Sequence, residues 1–500
     1  MPNVGFVREE VRKRLPQYEL IRDCLAGEAQ VKFRKTKYLP MPNPEDTSAD
    51  NEARYYAYLT RAVFFGTAEK TQGDLVGQIF IREPKFEVPA ILQPVVDDAS
   101  GAGVPLKQMA QQASAFALAY GRLGLYVDYP STAVIADDGT ETDEPASIAD
   151  IEAGDVRPTI RVIDPADCIN YRVKARGAKI ILSMVVFRED RIIEDDGFET
   201  KKKDQWRVLR LDENDQYVIE IYHNKTGALP NERYEPRDAA GNRLNEIPFT
   251  FVGSGNNEPT PNAPPMYQLC SLNIHHYMNS ADYEESIFVT GQPTIAAAGL
   301  TEEWVTKVLG GRVAMGARGG IPLPVGGSIE LLQAQPNTLA KEGMDQKEDQ
   351  MLSIGAKFRR PDQVQRTATE TNADNVSETS TLSKVAQNVA AGLNWALEWA
   401  CVFVGAPESS IKVDMNTQFD LVVLTPEQQA SIIQAWKDGA ISFEEMRAAL
   451  RRGGVATLPD KEARAQIDEE QAKMMKLEID KAGGLAEATA PEPGAPPQAE

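Results

Sequence analysis

The amino-acid sequence predicts an α+β fold, and three features carry that prediction. Residues 51–120 are dominated by helical apolar spacing, residues 158–224 by short β-patterned runs between turn residues, and residues 266–404 by three long helix-patterned segments. Strands gathered into one block, with helices gathered on either side, are the pattern of an α+β chain.

Taken in order, residues 1–45 are locally basic ("VRKRL", "KFRKTKYLP") and close on the proline-punctuated break "LPMPNPED". "NEARYYAYLTRAVFFGTAEKTQGDLVGQIF", from residue 51, reads as helix, loop, helix. Tyr55, Leu59, Ala62 and Val63 supply the i, i+4, i+7, i+8 stripe of a packed helix. A further helix covers 105–120, with Leu106, Met109, Ala113, Phe116, Ala117 and Tyr120 on one side; Gly121 ends it and the strand-like "LGLYVDYP" follows. "ADDGTETDEPASIAD" (136–150) is an acidic loop. The β-rich block consists of "PTIRVIDP", "KIILSMVVFRED", "QWRVLRLDEND" and "QYVIEIYHN".

A Pro/Gly/Asn-rich hinge, "FVGSGNNEPTPNAPP" (251–265), precedes a helix from Met266 to about Phe288, roughly 35 Å long at about 1.5 Å per residue. Its apolar residues, including Leu269, Cys270, Ile274, Tyr277, Tyr283 and Phe288, are not confined to one stripe, so the helix is buried or wedged between neighbours. Residues 289–335 combine the strand "PTIAAAG", the short helix "TEEWVTKVLG", Gly/Pro turns and the strand "SIELLQAQ". A more charged helix runs from about Asn337 to Phe358. The polar stretch "RRPDQVQRTATETNADNVSETST" (359–381) then leads straight into the apolar helix "LSKVAQNVAAGLNWALEWACVFVG", which ends near Val404. Beyond it lie the strand "FDLVVL" and a helix that Thr425 caps, Pro426 opens and Gly439 closes. Residues 482–500 hold too little apolar content to order themselves.

Five hundred residues exceed one core, so several structural regions are expected. At 42% hydrophobic and 25% charged, the composition is that of a soluble globular protein. No run of 18 apolar residues exists, and the N-terminus lacks the apolar core of a signal peptide, which argues against a membrane location. Cys24, Cys168, Cys270 and Cys401 are far apart and form no CxxC; they read as reduced, buried thiols of a cytoplasmic protein. The net charge of -21 excludes a protein whose affinity comes from gripping nucleic acid, because phosphate neutralisation requires a basic surface.

Catalytic chemistry is hard to find. The dipeptide Gly-Lys is absent, which excludes a P-loop, and "GSGNNE" at 253–258 lacks both the third glycine and the βαβ context of a dinucleotide site. The histidines are His223, His275 and His276; the adjacent pair points about 100° apart on a helix and cannot chelate one metal as an i, i+4 pair does. The acidic pairs at 97–98, 137–138 and 195–196 would need to converge in a pocket to act as a hydrolytic centre. No enzymatic activity, cofactor or metal is expected.

Three blocks in order resemble the portal proteins of tailed double-stranded-DNA bacteriophages: "YYAYLTRAVFFGTAEKTQGDLVGQIF", "SAFALAYGRLGLYVDYP" and "IPFTFVGSG...PPMYQLCSLNIHHYMNSADYEESIFVTGQPTIAAAGL". The third holds an Asn-x-x-His-Tyr core and a Ser-Ala-Asp-Tyr-Glu run like those of the first stem helix in one branch of that family. The resemblance covers roughly residues 50–405. It implies a portal-like subunit with a mixed α/β wing, a two-helix stem, a small α/β clip and a helical C-terminal crown, assembled as a ring of about twelve copies at one capsid vertex. Read onto that plan, 1–45 is a basic N-terminal segment, 46–262 the wing, 263–288 the first stem helix and 289–335 the clip. The second stem helix is then 336–358, the tunnel loop 359–380, the helix returning to the wing 381–405, the C-terminal wing and crown 406–481, and the disordered tail 482–500.

The resemblance also implies partners and roles. Double-stranded DNA would pass through the axial channel during packaging and ejection, the packaging motor (terminase) and later a head-tail adaptor would dock on the clip, and the major capsid protein would surround the ring. The protein would be part of the virion, assembled in the host cytoplasm and free of membrane. Arg359, Arg360, Gln363, Arg366, Thr369, Asn372 and Asn375 would line the tunnel, with Lys341 and Lys357 facing the channel from the second stem helix. In the loop, three arginines meet four acids (Asp362, Glu370, Asp374, Glu378), so the surface touches phosphates without trapping them. Over about twelve copies the net charge of -21 becomes of order -250, repulsive toward packed DNA. Trp304, Arg312, Met315 and Arg318 are side chains of the kind that anchor partners on the clip, though Trp304 serves equally well as the clip's own core. Leu269, Tyr277, Tyr283 and Phe288 would contact neighbouring copies. Two other readings stay open: a different head-tail connector ring, and a Mg²⁺-dependent DNA-processing hydrolase built on the acidic pairs.

Overall fold

The structure is a computed structural model. It describes residues 3–129, 133–135, 141–143, 157–226, 229–291, 294–308, 322–332, 338–358, 380–407 and 411–417, and in the remainder 419, 426–452, 455, 456, 458, 462–470, 473 and 474. Helix and sheet are both present in quantity, as an α+β fold requires. The chain divides into two units, residues 1–417 and 418–500.

In the first unit the centre is a three-stranded antiparallel sheet ordered β11-β2-β5, made of β2 (Arg122–Asp128), β5 (Thr159–Ile163) and β11 (Phe249–Gly253). Six of the seven residues of β2 are buried, so the strand reads as a nearly unbroken apolar run instead of alternating. Helix α5 (Leu106–Tyr120) feeds it through Gly121, whose φ is +74°. A Cβ there would also lie 2.7 Å from the Ala263 carbonyl oxygen, so both the turn and the close approach demand glycine.

A five-stranded antiparallel sheet, ordered β10-β9-β8-β7-β6, packs against this centre. It comprises β6 (Cys168–Arg176), β7 (Lys179–Asp195), β8 (Thr200–Leu211), β9 (Tyr217–Tyr222) and β10 (Glu232–Tyr234). Aromatic rings join the sheets: Tyr126 lies 5.9 Å from Phe187, and Tyr171 lies 5.5 Å from Phe251. Strand β6 falls in a stretch the sequence reading leaves between two expected strands, because its outer half, from Arg172, alternates charged and apolar residues without burial. The β7–β8 ribbon likewise extends past "FRED" into charged sequence, where main-chain pairing and cross-strand ion pairs such as Lys201 with Glu194 (2.5 Å) replace burial.

The N-terminal residues belong to the same unit. Helices α1 (Leu15–Leu25) and α2 (Glu28–Phe33) are tied together by Asp23, which is 1% exposed. Its carboxylate accepts from Gln30 Nε2 (2.8 Å), Arg34 Nη2 (2.9 Å) and the Tyr38 hydroxyl (2.6 Å). The expected helix, loop, helix appears as α3 (Ala49–Arg61) and α4 (Thr67–Ile79). Because α3 stops at Arg61, Val63 leaves the predicted stripe and is 49% exposed; Tyr58 takes the buried position instead. Strand β1 (Lys85–Glu87) pairs with β14 (Lys412–Asp414), a contact across more than 300 residues that no local pattern announces.

Two further expectations are corrected. Within the acidic stretch 136–150, Glu141–Asp143 forms a strand (β4) paired with Ala133–Ile135 (β3), so part of the expected loop is a ribbon. The expected hinge begins inside β11, and its asparagines are anchored: Asn257 Nδ2 donates to the Asn388 carbonyl (3.0 Å), and Asn388 Nδ2 donates to the Gly253 carbonyl (2.8 Å). Most of "FDLVVL" and all of 475–500 lie outside the described residues.

In the second unit α10 (Pro426–Lys437) and α11 (Phe443–Arg452) form a helical hairpin. Gly439 turns it at φ +75°, and Trp436 packs on Phe443 with ring centroids 5.9 Å apart. Among the described residues no helix is long and apolar enough to cross a membrane.

Candidate functional site

The site is the excursion between the end of the central sheet and the helix that returns to it. Helix α6 (Tyr267–Gly291) leaves, the pair β12 (Thr294–Ala298) and β13 (Ser328–Leu332) with the short helix α7 (Glu302–Lys307) forms the far end, and α8 (Thr338–Lys357) comes back. His276 Nε2 lies 3.1 Å from Glu348 Oε1, and a Cβ on Gly343 would lie 2.7 Å from Asn279 Nδ2. Residue numbers rise on α6 as they fall on α8, so the two helices are antiparallel and closely apposed.

The two ends of α6 differ in kind. Leu269, Cys270, Asn273, Ile274, His276, Tyr277, Ser280 and Ala281 are buried, and none of its residues beyond Ala281 is. The buried part is enclosed by α1, α3, α4 and α8 of the same chain. The thiol of Cys24 donates to the Cys270 carbonyl (3.7 Å), and the Ser280 hydroxyl donates to the Val63 carbonyl (2.7 Å). Burial pushes the Tyr277 hydroxyl well above the usual tyrosine range. The helix is therefore apolar on several sides because its own subunit surrounds it.

That placement sorts the residues expected to contact neighbouring copies. Leu269 and Tyr277 are 0% exposed, and their side chains serve the subunit's own core. Tyr283 is half-buried, while Phe288 keeps 44% of its surface open beneath the Arg61 guanidinium, 4.2 Å from its ring. Arg61 also pairs with Glu285, and the Tyr58 hydroxyl donates to Asp282 (2.6 Å), so α3 braces the outer half of α6. Ile287, Val289, Leu339 and Leu352 add to the uncovered apolar surface, and Met351 is the single buried residue of α8. These outer positions carry no signal in the sequence that separates them from the buried ones.

Lys341 and Lys357 are exposed on α8; Lys347 reaches back to the Gly343 carbonyl (3.3 Å). Arg359, Arg360, Gln363, Arg366, Thr369, Asn372 and Asn375 lie outside the described residues, but both anchors of their segment are defined. Phe358 and Leu382 are buried, and the Leu382 N–H donates to the Phe358 carbonyl (3.3 Å). The chain thus leaves α8 and re-enters at one point. Ser380 caps the next helix, α9 (Thr381–Val404), by accepting from the Ser383 N–H (3.0 Å), and α9 packs on α5, β2 and β11. At the far end Arg312, Met315 and Arg318 lie outside the described residues. Trp304 is half-buried, and its indole N–H donates to the Pro322 carbonyl (3.2 Å), which ties α7 to the chain before β13.

The residues weighed for chemistry do not come together. His275 bonds the Ser271 carbonyl through Nδ1 (2.7 Å), His276 faces Glu348, and His223 lies beside Glu232 (3.5 Å). Asp98 accepts from the N–H groups of Gly101 (3.0 Å) and Val104 (3.1 Å) and pairs with Arg157. The N–H groups of Glu199 and Phe198 hold the Asp196 carboxyl below its usual range as it closes the β7–β8 turn. Asp137 and Asp138 lie outside the described residues. Among the described residues no group of three or more His, Cys, Asp or Glu is placed to hold a metal ion.

Residues 265–404, which run from just before α6 to the end of α9, match a family described as a domain of unknown function, DUF4055. No curated protein matches the chain. Among solved structures it is similar to a chain in the neck of an empty GTA particle computed with C6 symmetry, at 15% identity and a TM-score of 0.39, over 77% of this chain and 90% of that one. A chain in the neck of the native GTA particle computed with C12 symmetry gives 14% identity and a TM-score of 0.39, over 78% and 92%. A third, in the virion of a native gene transfer agent particle, gives 13% and 0.38, over 79% and 92%. At such identities and scores the likeness assigns no activity.

Proposed function

We propose that this protein is a phage-type portal subunit: copies form a ring at a head-tail junction, and DNA passes through its axis during packaging and ejection. The observation that carries the reading is the excursion of α6 and α8. Isolated helices are marginal in water unless an apolar face is packed, yet α8 buries one residue, Met351, in its own subunit. Ile287, Phe288, Val289, Leu339 and Leu352 are left uncovered along the pair. Neighbouring copies of the same pair are the partners that would cover them, and a closed ring is the arrangement in which every copy is covered alike.

In this reading residues 359–380, closed at their base by the Leu382–Phe358 bond, line the bore. The unit of β12, α7 and β13 is presented at the far end of the pair, where a packaging motor and then a tail adaptor would dock. The subunit carries no catalytic centre; its work is to bound a channel through a ring whose net negative charge, -21 per copy over the whole chain, keeps the DNA from sticking. Size-exclusion mass and negative-stain imaging of the purified full chain test this directly. A ring with an axial hole and no Mg²⁺-dependent nuclease activity is expected. A monomer that cuts DNA rejects the proposal in favour of the hydrolase.

A further inference from the structure

Arg122 opens β2 and is 2% exposed, yet neither its Nε nor its Nη2 has a hydrogen-bond partner. No carboxylate among the described residues lies within salt-bridge reach of it. Instead its guanidinium lies 3.8 Å from the centre of the Phe251 ring and 4.9 Å from that of Tyr171. A second guanidinium, that of Arg8, lies 4.3 Å from the same Tyr171 ring, and Arg8 is already paired with Glu10 (2.8 Å). Two cations thus share one aromatic ring, and one carboxylate serves only the outer cation.

Burial lowers the pKa of Arg122, but a guanidinium does not shed its proton in a protein. Cation–π contact offsets part of the cost of burying it and provides no acceptor for its N–H groups. The hydroxyl of Tyr18 adds another enclosed group without a partner, close enough to Arg122 for each to perturb the other's ionisation. Cys168 completes the surroundings as a buried thiol. The Nε–H and Nη2–H groups of Arg122 are therefore buried without acceptors where β2, β6 and β11 come together.

We infer that Arg122 and Tyr18 form a binding site for a small inorganic anion of halide size, held by Arg122 Nε–H and Nη2–H and the Tyr18 hydroxyl, while the guanidinium itself rests on the rings of Phe251 and Tyr171. Unpaired N–H donors of a buried cation suit a small, weakly hydrated anion, which loses little on leaving water. The site is independent of the channel function.

The test is thermal unfolding of the full chain at constant ionic strength, with chloride progressively replacing gluconate. For the native sequence the midpoint should rise by about 1–3 °C for each tenfold increase in chloride above its dissociation constant. Arg122→Met should abolish the rise, and Tyr18→Phe should weaken it. Should Arg122→Met not fold, a bromide-soaked crystal of the native protein decides the matter through an anomalous peak within hydrogen-bond distance of Arg122. A midpoint indifferent to the anion, an equal rise in Arg122→Met, or no bromide peak at Arg122 overturns the inference.

Discussion

Replacing Asp23 with alanine tests how much the buried carboxylate that ties α1 to α2 contributes to the stability of the N-terminal residues. The carboxylate accepts from Gln30, Arg34 and Tyr38, and Arg34 Nε adds an ion-pair contact at 2.9 Å without hydrogen-bond alignment. Arg34 is about one-third exposed and also reaches Glu19 (3.3 Å), so it can turn to water when Asp23 is removed. The Tyr38 hydroxyl, on a residue 4% exposed, has no such exit. A buried donor left without its acceptor costs about 1–3 kcal/mol, and the lost Gln30 bond adds about 1 kcal/mol. The expected loss is about 2–4 kcal/mol in urea unfolding, with faster amide exchange through α1 and α2. Asp23→Asn should lose less, since one oxygen still accepts.

The same site predicts a pH dependence. Burial alone would raise the Asp23 pKa, but the bonds from Arg34, Tyr38 and Gln30 prevail and lower it. A lowered folded-state value means that the contribution is complete above the unfolded value of about 3.9 and is lost as pH falls through the folded one. The Asp23→Ala penalty should therefore be constant from pH 7 to pH 5 and shrink below pH 4. A loss under about 1 kcal/mol at pH 7, or a penalty that grows with acid, refutes the reasoning.

Other perturbations follow from single contacts. Gly392→Ala places a Cβ 2.3 Å from Val252 Cγ2 and 3.2 Å from Leu125 Cδ1, so strain of about 1–3 kcal/mol should outweigh the gain of about 1 kcal/mol in helix propensity; urea unfolding should show net destabilisation. The double change Phe288→Ser and Leu352→Ser, at positions 44% and 69% exposed, should leave subunit stability within about 1 kcal/mol while abolishing the ring by size-exclusion mass. Persistence of the ring would show that the outer stretch of the helix pair is not the contact. Trp304→Phe removes the bond to the Pro322 carbonyl, worth about 0.5–1.5 kcal/mol, and should speed amide exchange in 301–308 by roughly 2- to 12-fold.

Local punctuation made much of the fold legible. Gly121 after an apolar helical stripe fixed the end of α5 and the start of β2, and Pro426 and Gly439 bracketed α10, because these residues act on the backbone where they stand. Long-range pairing was not legible. Strand β6, the β1–β14 pair and the outer ribbon of β7 and β8 form on main-chain hydrogen bonds with partners whose side chains give no local sign of them. At the candidate site the same division holds. The two long helices could be read from periodicity, but the apolar residues of α6 looked alike along its length.

What the sequence determined by itself, then, is the long helices that follow the N-terminal segment, the turns that stop them and the excess of negative charge, all properties of neighbouring residues or of simple sums. The tertiary structure alone decided that Leu269 and Tyr277 face inward while Phe288 stays open, that Asp23 ties α1 to α2, and that Arg122 is sealed in without a counter-charge. The physical reason is that exposure and charge compensation depend on which distant segments arrive alongside, and a side chain carries no record of that in its own neighbourhood.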